Sequence, residues 1–459
     1  MASQWREKRV LVLGLGDTGL SMAKWLAAQG AGVIAADTRP EPPRAREAAE
    51  LLPHGAMRLG PFSDALFEGI DAVAASPGVP LAEPALARAM RRGIPCVGDI
   101  ELFALALQER PRSRVLAVTG TNGKTTVTAL TGEMCAAAGL DCEVAGNIGP
   151  AVLDVLSRRE QAEMPQAWVL ELSSFQLETT SSLEPDAATV LNISDDHLDR
   201  YASVDDYASA KARIFAGDGV RVVNRDDARS LAMAGERRVL SFGLEAPRTE
   251  QEFGLVEDSG RSWLAQGSVR LIALDEMKLA GLHNAANALA ALALCRSIDL
   301  PWPPLLAALR DFRGLPHRVE LVGEVDRVRY YDDSKGTNVG ATVAALSGLG
   351  AQGMKLVLIA GGEGKGQDFS PLAAAVRQCA RSVVLIGRDA PAIERALEGL
   401  DVPLRHASDM DQAVDVAAAD ARPGDAVLLS PACASFDMFR NYKHRGEVFR
   451  AAVRRRPPC

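Results

Sequence analysis

Several features that would mark common protein classes are missing from this 459-residue chain. No run of five or more Lys/Arg occurs, and 59 acidic against 51 basic side chains leave a formal net charge of -8. Nothing here is built to neutralise a phosphate backbone, so nucleic acid is excluded as a partner. The longest uncharged runs, residues 336–354 and 279–295, are broken by Gly, Asn, His and Gln, so no membrane span of roughly 20 apolar residues is expected. The first nine residues carry Arg6, Lys8 and Arg9 but no apolar core or cleavage site follows, so no secretory signal is read. Seven cysteines, at positions 96, 135, 142, 295, 379, 433 and 459, form no C-x-x-C pair and no Cys/His cluster at metal spacing. Free thiols in a reducing, cytoplasmic setting are expected. No short-period repeat points to a solenoid. With 47% hydrophobic and 24% charged residues the composition is that of a soluble globular protein, and the length suits about three domains.

Apolar runs at residues 10–13, 32–36 and 71–75 alternate with turns and a helical stretch at 20–29, the pattern of β-α-β units in a parallel sheet. The stretch 109–114, ERPRSR, mixes charge and proline ahead of a fresh strand at 115–118, which puts a first boundary near residue 105. Strand candidates at 115–118, 167–172, 187–193 and 220–224 alternate with helical segments; residues 241–275 have a β-like texture and 279–295 a helical one. After Leu315-Pro316 the alternation restarts with 319–325, 355–359, 383–386 and 426–429, so a second boundary falls near Gly314. The expected fold is α/β in three domains: a Rossmann-like unit at 1–105, a P-loop ATPase-like unit at 106–313, and a second Rossmann-like unit at 314–459.

Gly14-Leu15-Gly16-Asp17-Thr18-Gly19 follows a strand and opens a helix, and Asp37 ends the next strand. Glycines let backbone N–H groups approach a phosphate at a helix N-terminus, and the carboxylate can accept from a ribose or base edge, which points to a nucleotide or nucleotide sugar. Tight helix–strand packing alone would also use these glycines. Gly120-Thr121-Asn122-Gly123-Lys124-Thr125-Thr126 again joins strand to helix. Its backbone can cradle β-phosphate oxygens, Lys124 can counter the β/γ charge and Thr125 can ligate Mg²⁺, so ATP is the expected cofactor, although Val118 stands where the usual motif has its first Gly. Glu171 ends a strand where Mg²⁺ is commonly held, or else forms a structural ion pair. His197, among Asp195, Asp196 and Asp199, reads equally as a metal ligand or a structural histidine. Lys211 by itself reads as a solvated helix lysine. Asn287 and Arg318 could clamp adenine and phosphate, or be caps and surface residues. The loops carrying Asp333, Lys335 and Thr337, then Lys365, then Ser435 all follow strands, which suits an anionic ligand as well as ordinary turns.

Taken in order, Gly120 to Thr125, Gly146-Asn147-Ile148-Gly149, Glu171-Leu172-Ser173-Ser174-Phe175-Gln176, Asp196-His197-Leu198-Asp199, His283-Asn284-Ala285-Ala286-Asn287, His317-Arg318 and Asp333 to Asn338 resemble the Mur ligases, ATP-dependent amide-forming enzymes of peptidoglycan precursor synthesis. The resemblance covers residues 10–449, and the 14–19 turn, Asp37-Thr38-Arg39, Ser76-Pro77-Gly78, 361–365 and 429–442 look most like the glutamate-adding member. The Asp-Asn-Pro-Arg string of a diaminopimelate-adding relative is absent. The resemblance implies that Leu15, Thr18, Asp37, Thr38, Arg39, Ser76, Gly78 and Asn147 hold UDP-N-acetylmuramoyl-L-alanine. It implies that Gly120, Thr121, Asn122, Gly123, Lys124, Thr125, Thr126, Asn287, Arg318, Asp333 and Lys335 bind ATP. Thr125, Glu171, His197 and a carbamylated Lys211 would hold two Mg²⁺ ions, and Lys124 and Asn147 would join Glu171, His197 and Lys211 in catalysis. Thr337, Lys365, Ser435 and Tyr442 would bind D-glutamate. A cytoplasmic monomer is implied. Tyr442, Glu363 and Gly336 stand where the family usually has Phe, Asp and Ala. Other readings are a folylpolyglutamate synthetase-like amide ligase, a nicotinamide-dependent oxidoreductase on the first unit, and a P-loop regulatory module without ligation.

Overall fold

The computed structural model describes residues 4–456 other than 198–199, 236–237, 280 and 352. Leu198 and Asp199 of the acidic His197 motif, and Cys459, therefore lie outside the described residues. The six described cysteines are free.

Short apolar runs become buried parallel strands because helices cover both faces. In the first unit, β1 (Arg9–Leu13), β2 (Gly32–Asp37), β3 (Met57–Leu59), β4 (Ala72–Ala75) and β5 (Cys96–Val97) form a parallel sheet in the order β3-β2-β1-β4-β5. The order reverses beside β1, the switch point where open α/β sheets bind ligands, and the Gly14 turn leads there into the helix Asp17–Ala28.

The middle unit carries nine strands: β6 (Arg114–Thr119), β7 (Cys142–Gly146), β8 (Ala167–Glu171), β9 (Ala187–Val190), β10 (Val220–Asn224), β11 (Val239–Phe242), β12 (Glu252–Asp258), β13 (Arg261–Gln266) and β14 (Val269–Ala273). Their order is β14-β13-β12-β11-β10-β9-β6-β8-β7, parallel except for the antiparallel β12-β13-β14 meander that forms the β-like stretch expected at 241–275. The helix Lys124–Ala137 starts from the C-terminal end of central strand β6, which fixes the nucleotide loop, and the apolar helix Leu282–Ser297 packs against it.

The third unit has β15 (Glu320–Val325), β16 (Val328–Asp332), β17 (Leu356–Gly361), β18 (Ala380–Ile386), β19 (Leu404–His406) and β20 (Ala426–Leu429), ordered β15-β16-β20-β17-β18-β19, with only β15 antiparallel to its neighbour. Alternation along β17 sends Leu356, Leu358 and Ala360 to one core and Val357 and Ile359 to the other.

One core runs through the first two units without a break: Leu15, Met22, Trp25 and Leu26 share a cluster with Val152, Leu153, Leu156 and Trp168, and Phe103 meets Trp168 edge-on at 4.8 Å. The third unit keeps its own cores.

Candidate active site

The first unit's switch point opens as a cavity of about 590 Å³ lined by Thr18, Asp37, Thr38, Arg39, Ser76 and Gly78, and its far wall is Asn147 and Gln176 of the middle unit. Six of the residues expected to hold the nucleotide sugar thus share one cavity with Asn147. Leu15 is fully buried and acts differently: its N–H donates to Asp37 Oδ2 at 2.7 Å. The other bonds to Asp37 come from Arg39, through its backbone N–H, Nε and Nη2 at 2.9, 2.9 and 2.7 Å. Burial alone would raise the carboxyl, but the Arg39 guanidinium and the backbone donors hold it down at about 2. Asp37 is therefore a fixed anion that sets the shape of the turn. The Ser76 hydroxyl, donating to Gly14 O at 2.8 Å, ties the second turn to the first.

In the middle unit the loop 120–123 wraps over the end of β9. Thr121 N donates to Asn192 O and Asn122 N to Asn192 Oδ1, both at 2.8 Å. Gly123 has φ +84° and a Cβ there would lie 2.5 Å from Asn287 Oδ1, so the glycine admits Asn287 directly above the loop. Lys124 Nζ donates to Gly120 O and Thr121 O at 2.8 and 2.9 Å. Asn122, Gly123, Thr126, Asn287, Arg318, Asp333 and Lys335 line a second cavity of about 320 Å³, within the usual range for small-molecule sites.

Thr125 is where two units meet. Its Oγ1 accepts from Arg318 Nη2 at 2.6 Å and from Lys335 Nζ at 3.2 Å, both from the third unit. Asn338 Nδ2 donates to Asn122 Oδ1 at 3.1 Å beside them. Arg318 and Asn287 accordingly line the cleft and are not solvated surface residues. Asp333 accepts from Ser430 Oγ at 2.6 Å, and burial raises its carboxyl to about 7. Burial and the neighbouring Arg318 lower Lys335 to about 8.

Glu171 is buried at the end of β8, with Asn147 Nδ2 donating to Oε1 at 2.6 Å and Oε2 left without a partner. Lys211 corrects the expectation of a solvated lysine: it is 1% exposed, donates to Thr119 Oγ1 at 3.2 Å and lies 4.6 Å from the Tyr207 ring centre. Burial first, then the charge of Lys124, push its amine well below the ordinary lysine value, which favours the neutral form. His197 packs edge-on against Phe175 at 4.7 Å and faces Tyr207 at 6.3 Å. Among the described residues no group of three or more His, Cys, Asp or Glu is arranged to hold a metal ion. The expected set relies instead on Thr125, Glu171, His197 and a modified Lys211; the Glu171 oxygen that has no hydrogen-bond partner among the described residues and the lowered Lys211 amine suit a cation and a carbamate.

The residues expected to bind glutamate are only partly brought together. Tyr442 joins the cleft, its ring 5.4 Å from Lys335 Nζ and 5.9 Å from the His317 ring. Thr337 and buried Ser435 sit on adjacent loops that Arg445 ties together by donating to Ser334 O and Cys433 O. Lys365 is exposed with φ +53°, and among the described residues no hydrogen bond or ion pair links it to the cleft. At Gly336 a Cβ would meet Asp333 Oδ2 at 2.5 Å, so a side chain there would displace that carboxylate.

Three family models match in sequence along the chain: the Mur ligase MurD-like N-terminal domain over residues 8–98, the Mur ligase middle domain over 118–295, and the Mur ligase glutamate ligase domain over 317–433. A UDP-N-acetylmuramoylalanine--D-glutamate ligase from Nitrosomonas europaea is 57% identical over 97% of this chain and 96% of its own length. The chain belongs to the Mur ligase family. A second such ligase, from Nitrosospira multiformis, is 58% identical over 97% of this chain and 95% of its own length. Among solved structures, MurF ligase from Thermotoga maritima in complex with ADP superposes with a TM-score of 0.63 at 17% identity, covering 100% of this chain and 97% of that one. UDP-N-acetylmuramate-alanine ligase MurC from the same organism superposes at 0.62 with 21% identity, covering 97% and 99%. These structural neighbours share the three-unit Mur ligase fold.

Sequence reasoning left some residues of the site unassigned. Gln176 was read only as part of a motif, yet it lines the first cavity, completes a capping box with Ser173 and donates to Asp99 Oδ2 at 2.9 Å. Arg200, next to the histidine motif, reaches the first unit by donating to Pro77 O at 2.6 Å.

Proposed function

We infer that this Mur ligase joins D-glutamate to UDP-N-acetylmuramoyl-L-alanine, driven by conversion of ATP to ADP and phosphate, in peptidoglycan precursor synthesis. The reading is supported above all by the meeting of Arg318 and Lys335 with Thr125 at the mouth of the nucleotide loop, alongside a first-unit cavity whose far wall is Asn147. A carboxylate does not acylate an amine in water until its oxygen becomes a good leaving group. The alanyl carboxylate therefore attacks the γ-phosphorus, giving an acyl phosphate and ADP. The neutral amine of glutamate then attacks the acyl carbon and phosphate departs from the tetrahedral intermediate. Lys124, Arg318 and Lys335 face the charge that gathers on the transferred phosphoryl group. Asn147 fixes Glu171 and borders the substrate channel. Closure of the third unit over the cleft keeps water from the acyl phosphate. When bound, Mg²⁺ supplies Lewis-acid stabilisation of phosphate charge. Thr125, Glu171, His197 and Lys211 would hold two such ions, Lys211 after its neutral amine has taken up CO₂. Thr337, Ser435, Tyr442 and Lys365 receive glutamate. The chain works as a monomer in the cytoplasm; among the described residues no helix is long and apolar enough to cross a membrane.

The test is the product mass after mixing enzyme, ATP, Mg²⁺, UDP-N-acetylmuramoyl-L-alanine and D-glutamate, repeated with L-glutamate and with a folate acceptor. A new amide with D-glutamate alone, matched by ADP release, is expected; ADP without amide, or an amide formed only on the folate, would overturn the reading.

A further inference from the structure

Arg200 has no role in the chemistry above, yet it reaches the turn that lines the first cavity and packs on the ring that meets His197. Its backbone N–H donates to His197 O at 2.9 Å. Its guanidinium leaves the middle unit and donates through Nη1 to Pro77 O at 2.6 Å, within the Ser76-Pro77-Gly78 turn that lines the first cavity. Nη2 donates to Glu178 Oε2 at 2.7 Å, and this pair is largely buried, with 12% and 16% of the two side chains exposed. The flat face of the guanidinium lies 3.9 Å from the centre of the Phe175 ring, and that ring packs edge-on against His197 at 4.7 Å. Arg200 thus touches the nucleotide-sugar turn with its edge and the support of His197 with its face.

We propose that Arg200 is a positioning residue that couples occupation of the nucleotide-sugar pocket to the placement of His197, whose neighbour Asp196 accepts from Asn338 Nδ2 at 3.5 Å where Asn338 meets Asn122 of the nucleotide loop. The chemistry favours arginine specifically. A planar fork can donate at its edge to a carbonyl and a carboxylate while its face covers an aromatic ring, whereas an ammonium is a point charge that cannot do all three. A ligand that fixes the 76–78 turn fixes Pro77 O, which orients the guanidinium, which in turn fixes Phe175 against His197. Coupling of this kind is reciprocal, so a Mg²⁺-nucleotide bound in the second cavity tightens the nucleotide sugar by the same factor. The inference rests on the functional reading above, in that it takes the first cavity to hold the nucleotide sugar and the second to hold ATP.

The experiment is calorimetric titration of UDP-N-acetylmuramoyl-L-alanine into the full chain, with and without Mg²⁺ and a non-hydrolysable ATP analogue, in the wild type, Arg200→Lys and Phe175→Leu. The ratio of the two Kd values is the coupling factor, and thermal unfolding confirms that each variant is folded. The wild type is expected to show a factor of at least about five, within the usual range for coupled sites, and each variant to lower it at least about threefold. A purely structural role would weaken both Kd values together and leave their ratio unchanged. Phe175→Leu keeps the bond to Pro77 but removes the ring, so it decides the matter even where Arg200→Lys fails to fold. A smaller drop in the folded variants, or no coupling in the wild type, overturns the role of Arg200. Failure of the wild type to bind the nucleotide sugar at all would instead sink the functional reading.

Discussion

Lys211 shows how far packing can change a residue. In water its amine would be protonated; enclosed by Thr119 and Tyr207 and repelled by Lys124, it is pushed well below the ordinary lysine value, toward the neutral form. Only that form can capture CO₂ and turn a cation into an anionic metal ligand. Lys211→Ala is expected to lower kcat at least about 100-fold, on the scale of losing one charge-stabilising group, while thermal unfolding and nucleotide-sugar affinity stay near wild type. Full turnover in the variant would exclude the carbamate. Asp99 is the converse case, a carboxyl raised to about 6 by burial, which outweighs the bond that Gln176 donates to its Oδ2. Since its folded value lies above its unfolded one, the protonated form favours the fold. The stability it allows is complete below about pH 4 and is lost as pH rises through about 6, with a ceiling of roughly 3 kcal/mol. Asp99→Asn should therefore gain stability over wild type at about pH 8 and much less at about pH 4.5 in urea titrations, and an equal difference at both would refute the ionisation argument.

Among the elements, the helix Asp17–Ala28 is seated by a glycine with no room to spare. A Cβ on Gly19 would lie 1.7 Å from Gly14 O and 2.8 Å from Ser76 Oγ, so the two turns of the nucleotide-sugar pocket close on the helix only because that atom is missing. Gly19→Ala is expected to destabilise the protein by about 1–3 kcal/mol, the usual cost of overpacking, and to weaken nucleotide-sugar binding about tenfold or more. Unfolding and calorimetry would read both, and an unchanged affinity would mean that the pocket does not depend on this seating. Such packing was legible in the sequence because glycines at strand-to-helix turns have few uses. Buried strands rich in Val, Leu and Ala, such as β1, β8 and β20, were equally plain. β7 was not read, being a half-buried edge strand with a polar start; nor was β16, whose Val-Arg-Tyr-Tyr-Asp shows no simple alternation although most of it is buried. The nucleotide loop could be read because its chemistry depends on local backbone. The burial of Lys211 could not be read from the residues alone: Tyr207 lies one turn earlier on its own helix, but Thr119 comes to it from β6, 92 residues away in sequence.

At the scale of the whole molecule the two junctions between units differ in kind. The first and middle units share a continuous apolar core, reinforced where Glu101 accepts from the backbone N–H groups of Ser181 and Ser182 at 2.6 and 2.9 Å. At the cleft, the middle and third units meet through polar contacts: Arg318 and Lys335 on Thr125, and Asn338 on Asn122. A shared core resists sliding, because any shift exposes apolar surface, whereas a few hydrogen bonds can exchange for water or phosphate oxygens at small net cost. The division of labour follows. On the proposed function, the first cavity, walled by the first two units, holds the nucleotide sugar throughout the cycle, and the third unit delivers Arg318 and Lys335 when the cleft is closed. Arg318→Ala should then lower kcat about 100-fold, as expected for removing a donor aimed at transferring phosphoryl charge, and leave the Kd for UDP-N-acetylmuramoyl-L-alanine within about twofold of wild type. Single-turnover kinetics beside calorimetry separates the two quantities. Equal losses in both would mean that the third unit helps to build the first pocket, and the picture of a rigid pair served by a closing third unit would fail.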